Sequence, residues 1–305
     1  VRPLTAVSTV GLADALDRVL ARDVVSPIAV PAHDNSAMDG YAFRGAEFTA
    51  AGEGRGQRLR AEGTVFAGAP WGGTVGAGEC VRIMTGAVMP EGLDTVVPLE
   101  LCRVEAGAAE GGADAVVVEP GVVKTGENRR RAGEDLAVGG VAVAAGRRLR
   151  PSDLGLIASL GIAEVTVVRR PVVAIFSTGD EIRTLGQPLD AGCVYDSNRF
   201  SLMAAVRRLG MEVLDLGLVR DDPDTLTRVL ADAAQRADAV ITSGGVSAGD
   251  ADHTREVLAR LGQVGFWKVA MRPGRPVAFG PLSRGEGRDP ALLFALPGNP
   301  VAALV

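Results

Sequence analysis

The chain has 305 residues, a formal net charge of −5 and 47% hydrophobic residues. This length predicts about two domains with true hydrophobic cores, and the acidic balance argues against a nucleic-acid or anionic-membrane partner. No apolar run reaches the roughly 18 residues that a membrane-spanning helix needs, and three well-separated cysteines indicate a reduced, cytoplasmic protein.

The histidine content limits the metal chemistry. His33 and His253 are the only histidines in the sequence, which argues against a zinc site or a histidine base. A metal in this protein is therefore expected to be a hard cation held by carboxylates, namely Mg²⁺.

The first half of the chain predicts two helices separated by short strands. Apolar residues recur at helical spacing over residues 12–20, which predicts a short amphipathic helix. Valine-rich runs within residues 24–143, such as 95–97 and 115–119, are divided by Gly and Pro and are typical of β-strands. A second helix is predicted over residues 151–160. Ser152 is its expected N-cap, and Gly161 is its expected C-terminal cap. The residues expected to face inward are Leu154, Ile157 and Leu160.

Strands alternate with helices after Pro171, which predicts an α/β fold. The expected strands are 172–176, 213–216, 239–242 and 292–296, and the expected helices are 199–209, 225–235 and 253–261. Apolar strands between amphipathic helices are typical of a parallel, doubly wound sheet. Such sheets bind ligands beyond the carboxyl ends of their strands. The loops expected there are 177–181, 219–222, 243–250 and 297–300.

A glycine-rich loop follows the third of these strands and reads TSGGVSAGD over residues 242–250. Exposed backbone N–H groups and the dipole of the following helix favour a bound anion there. The alternative is an ordinary strand-to-helix turn. The candidate phosphate-binding residues are Ser243, Gly244, Gly245, Ser247 and Gly249.

Acidic and basic residues near the same sheet edge are the remaining candidates. Glu181, Asp221 and Asp252 suit Mg²⁺ held between the protein and a phosphate, and the alternatives are solvated loop carboxylates and a helix N-cap. The segment KVAMRPGRP at residues 268–276 is stiffened by prolines, so Arg272 and Arg275 favour a fixed oxyanion site. Its alternative is a solvated basic hairpin.

The residues of two N-terminal strings do not by themselves indicate a chemical function. PAHDNSAMDGYA at residues 31–42 fits an Asx-turn loop closed by an aromatic anchor. RIMTGA at residues 82–87 fits a strand and its turn.

Taken in order, seven strings resemble the molybdopterin molybdenumtransferase family, whose module is also carried by the scaffold protein gephyrin. The strings are DNSAMDGYA at 34–42, RIMTGA at 82–87, ENRRRAGED at 127–135, STGDE at 177–181, VRDD at 219–222, SGGVSAGDAD at 243–252 and LPGNP at 296–300. The resemblance extends from near residue 1 to Val305. It implies an elongated homodimer of multi-domain α/β subunits.

The resemblance also implies the domain organisation. A split N-terminal domain is expected at 1–30 plus 140–170, an inserted β-rich domain at 31–139 and a molybdopterin-binding α/β domain at 171–305. The chain stops in an apolar helix start, so the small C-terminal β domain of the family is expected to be absent. Because that domain supplies molybdate contacts in relatives, this chain is expected to bind the pterin nucleotide better than it completes insertion.

The reaction implied by the resemblance takes adenylylated molybdopterin, molybdate and Mg²⁺ to molybdenum cofactor and AMP. The implied active-site positions are Asp39, Thr85, Asp135, Glu181, Asp221, Asp252 and Lys268, with Glu181 and Asp221 as metal ligands. The implied molybdate-binding strip contains Arg272, Arg275 and Pro276. Asp39 and Thr85 would act on the other subunit of the dimer. Where this chain has Arg272 and Arg275, many relatives have Lys, a point charge rather than a planar fork.

Two other functions are compatible with the same fold. The first is adenylylation of molybdopterin, although the strings at 34–42 and 82–87 favour insertion. The second is a non-catalytic molybdopterin-binding scaffold, against which the carboxylates argue. The implied protein partners are the molybdopterin adenylyltransferase and recipient molybdoenzymes.

Overall fold

The structure is a computed structural model that describes residues 3–50, 56–107, 113–244, 257, 265–268, 270, 272–274 and 276–305. The chain divides into two compact units. One consists of Val10–Val165, and the other of Val1–Thr9 together with Thr166–Val305. Within the described ranges, no helix is long and apolar enough to cross a membrane. The finer division of residues 1–170 into a split domain and an inserted domain stays a prediction.

The first half of the chain consists mainly of short strands, as its valine-rich runs predicted. Among the described residues of this half, two α-helices accompany them, α1 (Gly45–Ala50) and α2 (Pro151–Ser159). The strands are β1 (Val7–Gly11), β2 (Val24–Val25), β3 (Asn35–Ser36), β4 (Gly40–Phe43), β5 (Gln57–Val65), β6 (Glu79–Ile83), β7 (Thr95–Pro98), β8 (Cys102–Glu105), β9 (Ala115–Val118), β10 (Arg129–Arg130), β11 (Val141–Val143) and β12 (Glu164–Val168).

A six-stranded sheet in the order β7-β4-β6-β5-β9-β8 forms the core of this unit. All neighbours are antiparallel except β5 and β6. Successive side chains of a strand point to opposite faces, so β4 contributes to two cores. Ala42 packs with Val81 and Val96 in one, and Tyr41 and Phe43 pack in the other.

The prediction of a helix over residues 12–20 is wrong. Only Leu12–Asp14 forms a turn of 3₁₀ helix. Asp17 has a φ of 62°, which a right-handed helix does not allow. The N–H groups of Asp17 and Leu20 donate to Leu149 and Arg147 carbonyls instead. Pairing with a distant segment has overridden the local helical periodicity.

The helix predicted over residues 151–160 is confirmed as α2, but its N-cap is Arg150 and not Ser152. Pro151 occupies the first helical position, which suits a residue with a fixed φ and no N–H. The Asp153 carboxylate accepts from the Arg150 N–H at 2.9 Å. Ile157 and Leu160 are buried, and Gly161 has a φ of 74° beyond the helix end, as predicted.

The second half of the chain alternates strands and helices, as predicted. The helices with described bounds are α3 (Ser197–Arg208), α4 (Pro223–Arg236) and α5 (Pro300–Leu304). The strands are β13 (Val172–Thr178), β14 (Ile182–Arg183), β15 (Val194–Tyr195), β16 (Glu212–Val219), β17 (Ala239–Ser243), β18 (Gly265–Lys268), β19 (Pro276–Leu282) and β20 (Ala291–Leu296). Of the helix expected at 253–261, only Val257 lies within the described residues, where it is helical.

The main sheet of this unit has the order β16-β13-β17-β20-β19-β18. The first four strands are parallel, as predicted. The sheet as a whole is mixed rather than parallel, because at one edge β19 runs antiparallel to β20 and β18 runs antiparallel to β19. Helices cover both faces: Ile175 of β13 packs with Leu202 of α3, and Phe176 packs with Leu226 of α4. This is the doubly wound arrangement.

The strand order contains a topological switch point. From β13 the chain passes through α3 to β16 on one side, and from β17 it passes to β20 on the other. In doubly wound sheets, the crevice that binds ligands lies at such a point, here between the carboxyl ends of β13 and β17. The fold places Thr178 and Ser243 at this crevice, as the last residues of their strands.

Candidate active site

Three sequence strings meet in the N-terminal half, and we call residues 34–42, 82–87 and 127–135 the N-terminal cluster. Strand β3 pairs antiparallel with β10, which joins the first string to the third. The Ser36 N–H donates to the Ala87 carbonyl at 3.0 Å, and the Gly86 N–H donates to the Ser36 carbonyl at 2.8 Å. These backbone hydrogen bonds hold together segments that are far apart in the sequence.

Asp39 and Thr85, two of the predicted site residues, are in direct contact within this cluster. The Asp39 carboxylate accepts from the Thr85 N–H at 2.7 Å and from the Thr85 hydroxyl at 2.6 Å. The neighbouring Gly40 fixes the backbone, because a Cβ there would lie 2.1 Å from the Val97 carbonyl oxygen. The exposed carboxylate is therefore held by two donors on a tightly packed strand.

These contacts set the charge of Asp39. The hydrogen bond from the Thr85 hydroxyl, the one from its N–H and the nearby positive charge of Arg82 lower the pKa of Asp39 below its usual value. Asp39 is thus a hydrogen-bond acceptor and a potential cation ligand at neutral pH, and not a proton donor.

Asp135 is also placed in the N-terminal cluster, where its carboxylate pairs with Arg130. Arg130 pairs in addition with Glu134 at 2.7 Å, and both carboxylates raise the pKa of the Arg130 guanidinium. The Asp135 N–H donates to the Val30 carbonyl at 3.0 Å. In this structure Asp135 takes part in an exposed ion-pair network.

The carboxyl ends of the parallel strands form a second group, the strand-end cluster, made of residues 177–181, 219–222, 243–244 and 296–300. Gly244 is at its centre, with a φ of 98°. A Cβ on Gly244 would lie 2.1 Å from the Thr178 carbonyl oxygen, and its N–H donates to the Leu296 carbonyl at 3.0 Å. Glycine is required here because three strand ends approach one another.

Glu181 and Asp221 are exposed residues of the strand-end cluster. A Cβ on Gly179 would lie 2.7 Å from a Glu181 carboxylate oxygen, so the carboxylate folds back over the glycine. The next residue after Asp221, Asp222, caps α4 by accepting from the Thr225 N–H at 2.9 Å, and this backbone hydrogen bond lowers the pKa of Asp222. Across the described ranges, no group of three or more potential ligands could hold a metal ion.

The basic segment connects the two strands of a β-hairpin, a geometry compatible with either of the interpretations given for it above. Lys268 ends β18 and pairs with Pro276 at the start of β19. Arg272 lies in the connection between them and is exposed. The predicted site residues Gly245, Ser247, Gly249, Asp252 and Arg275 lie outside the described residues.

Three residues of the strand-end region were missed by the sequence analysis: Asp196, Asn198 and Arg199. All three are buried, and they form the start of α3, which had been expected to begin only at Arg199. The DSNR string at residues 196–199 could have predicted the earlier start of α3, since Asp is a favoured N-cap. The Asp196 carboxylate does accept from the Arg199 N–H, at 3.3 Å.

Comparison with known protein families covers nearly the whole chain. Residues 1–161 match the family model described as MoeA N-terminal region (domain I and II), and residues 174–305 match a probable molybdopterin binding domain. Molybdopterin molybdenumtransferase of Haemophilus influenzae is 43% identical over 96% of this chain and 68% of its own length. Molybdopterin molybdenumtransferase 2 of Mycobacterium tuberculosis is 39% identical over 97% of this chain and 71% of its own length.

A solved structure shows the same fold. The molybdopterin biosynthesis MoeA protein of Pyrococcus horikoshii superposes with a TM-score of 0.79 at 33% sequence identity. The match covers 99% of this chain and 72% of that one. The multi-domain α/β fold expected from the sequence is therefore confirmed.

The contact between Asp39 and Thr85 predicts a measurable change in acidity. Replacing Thr85 by Val removes the hydroxyl donor but keeps the backbone donor, so the pKa of Asp39 should rise towards its usual value near 3.9. A ¹³C NMR titration of the side-chain carboxyl measures it. Thr85→Ser retains the hydroxyl and should leave the pKa close to wild type. An identical pKa in the Val and wild-type proteins would show that the hydroxyl does not stabilise the carboxylate.

Proposed function

The chain belongs to the molybdopterin molybdenumtransferase family, and we propose that it inserts molybdenum from molybdate into adenylylated molybdopterin with release of AMP. The observation that carries the proposal is the strand-end cluster at the switch point of the sheet. There Gly244 packs against the ends of β13 and β20, which places the start of the glycine-rich loop at the point where such sheets bind ligands.

The phosphates of the substrate are assigned to the loop that begins at Ser243 and Gly244 and continues through Gly245, Ser247 and Gly249. Glycines keep side chains out of the way of backbone N–H groups, which bind phosphate oxygens. The Ser243 hydroxyl is already engaged with Asn198 at 2.7 Å, so its role is to fix the start of the loop. The net charge of −5 leaves anion binding to local groups of this kind.

Molybdate is assigned to the basic segment, through Arg272, Arg275 and Pro276, and Lys268 at the start of this segment is assigned as an active-site residue. Arg272 is exposed in the hairpin connection, where a guanidinium can present two N–H groups to an oxyanion. Relatives with Lys at this position would offer a point charge instead.

Mg²⁺ is the metal that fits the strand-end carboxylates. Glu181 and Asp221 follow neighbouring parallel strands, β13 and β16, and Mg²⁺ is commonly held by one or two carboxylates together with substrate phosphates. The ion would neutralise phosphate charge when bound. Because the remaining ligands come from the substrate, two protein carboxylates are sufficient for this role.

The N-terminal cluster favours insertion over the two other functions. Asp39 is fixed by Thr85 and remains ionised, an arrangement that a protein serving only as a scaffold does not need. An adenylylating enzyme would consume ATP, whereas the proposed enzyme releases AMP only when molybdate is present.

We further propose that the protein is a cytoplasmic homodimer with a shared active site. Light scattering that gave a stable monomer at micromolar concentration would contradict the dimer.

The metal assignment predicts Mg²⁺-dependent nucleotide binding. AMP should bind more tightly with Mg²⁺ than with EDTA, because the ion bridges phosphate and carboxylate. Glu181→Gln removes one charge at nearly constant shape and should reduce this difference, whereas Glu164→Gln, at an exposed position in β12, should preserve it. Calorimetry measures both affinities. Equal affinity with and without Mg²⁺ in the wild-type protein would remove the metal from the proposal.

The molybdate assignment predicts that Arg272→Ala raises the molybdate concentration for half-maximal AMP release. A charge-assisted hydrogen bond contributes about 1.5–3 kcal/mol, which corresponds to roughly tenfold or more in affinity. Affinity for the pterin nucleotide should change much less, since its phosphates are assigned to the Ser243 loop. Arg272→Lys should restore most of the molybdate response because the positive charge returns.

A matched control for this experiment is Arg208→Ala, which removes an exposed arginine from the end of α3. Its molybdate dependence should be that of the wild-type protein. If Arg272→Ala and Arg275→Ala both leave the molybdate dependence unchanged, the molybdate assignment is wrong and only the pterin-binding one stands.

A further inference from the structure

The first turn of α3 contains three polar residues that are almost completely buried. Asp196, Asn198 and Arg199 are 3%, 8% and 6% exposed. Burying such groups costs free energy unless each finds hydrogen-bond partners. Their partners lie on all four parallel strands or the loops that follow them.

Asp196 and Arg199 hold the strands on one side of the crevice. The Asp196 carboxylate accepts from the Ser177 hydroxyl of β13 at 2.8 Å. Arg199 donates to Asp196 at 2.7 Å and to both oxygens of Asp215 in β16 at 2.6 Å. The helix start is therefore fixed to β13 and β16 by charge-assisted hydrogen bonds.

Asn198 holds the strands on the other side. Its amide nitrogen donates to the Ser243 hydroxyl oxygen at 2.7 Å and to the Gly298 carbonyl at 2.8 Å. The amide orientation follows from chemistry, because a carbonyl can only accept and must face the nitrogen. One side chain thus joins the end of β17 to the loop after β20 and uses both of its N–H groups.

The two segments joined by Asn198 are in contact at the crevice itself. A Cβ on Gly298 would lie 3.8 Å from the Gly244 Cα, and the Gly244 N–H donates to the Leu296 carbonyl. Gly244 also begins the loop to which the substrate phosphates are assigned. A shift of the Gly298 loop would therefore move the backbone that the ligand has to meet.

We propose that Asn198 is a positioning residue for substrate binding: it holds the Gly244 turn and the Gly298 loop in one fixed relation, so that the nucleotide crevice is formed before the ligand arrives. The inference rests on the proposed function for the identity of the ligand. Asn198 itself acts through Ser243 and Gly298. A preformed site binds more tightly because no ordering of loops opposes binding.

Asn198→Asp is the informative variant, since it has nearly the same shape but no N–H donors. Its carboxylate can still accept from Ser243 but repels the Gly298 carbonyl, so the Gly298 loop should be released. Leu202→Ala is the matched control, because Leu202 is buried on the same helix in the hydrophobic core that α3 forms with the sheet, and its side chain carries no hydrogen-bonding group. Both variants are expected to lower the melting temperature.

Two readouts separate positioning from general stability. The first is the ratio of amide hydrogen exchange rates of Gly244 and Val240 in the ligand-free chain, which reports local opening at the crevice relative to the sheet interior. Val240 is a suitable reference because its side chain is buried in the other core, with residues of α4. Asn198→Asp should raise this ratio about tenfold, as expected for loss of one hydrogen bond. Leu202→Ala should leave it unchanged. The second readout is AMP affinity by calorimetry, which should fall about tenfold in Asn198→Asp and less than about twofold in Leu202→Ala.

The outcomes are distinguishable. An unchanged exchange ratio in Asn198→Asp, or an equal loss of AMP affinity in Leu202→Ala, would overturn the positioning role. A wild-type chain that binds no AMP, yet shows the expected exchange ratios, would count against the proposed function while supporting Asn198 as the residue that orders the two loops.

Discussion

The carboxyl ends of four parallel strands must be held in register at one edge of the sheet, and the first turn of α3 provides that constraint. The chain continues from β13 and from β17 to opposite sides of the switch point, and hydrogen bonds between strands do not hold the segments that follow the strands. Asp196 and Arg199 bind β13 and β16, and Asn198 binds the segments after β17 and β20. Because these groups are buried, losing one partner leaves a desolvated charge or dipole, and the arrangement is correspondingly rigid.

The N-terminal cluster is also held together by contacts between segments that are distant in the sequence, but these contacts are mainly backbone hydrogen bonds. Strands β3 and β10 are only two residues long, so backbone hydrogen bonds such as Gly86 to Ser36 hold the strings together. The close approach of Gly40 to Val97 fixes the backbone position of the preceding residue, Asp39. Both clusters therefore place candidate site residues on backbone that glycine allows to pack closely.

The sequence predicted elements whose signals are local and missed those whose partners are distant. The four parallel strands and the helices α3 and α4 were predicted because apolar strands and amphipathic helices alternate there, whereas the antiparallel strands β18 and β19 were not predicted. The helix over residues 12–20 failed because its backbone groups bond to residues near 147–149, which periodicity does not reveal. Asn198 was missed for the same reason, since Ser243 and Gly298 lie 45 and 100 residues away along the chain. The family resemblance supplied roles for Asp39 and Thr85, and the structure added the contact between them.

A preorganised crevice is what the proposed binding of an adenylylated pterin requires, and its direct energetic test is a double-mutant cycle. Asn198→Ala, Ser243→Ala and the double variant would be unfolded in urea, with the free energy of unfolding as the readout. If the amide of Asn198 truly joins the strand ends, the two changes should be coupled by about 1 kcal/mol. Effects that add to within about 0.3 kcal/mol would show that the two side chains act independently, and that α3 does not fix the crevice through Asn198.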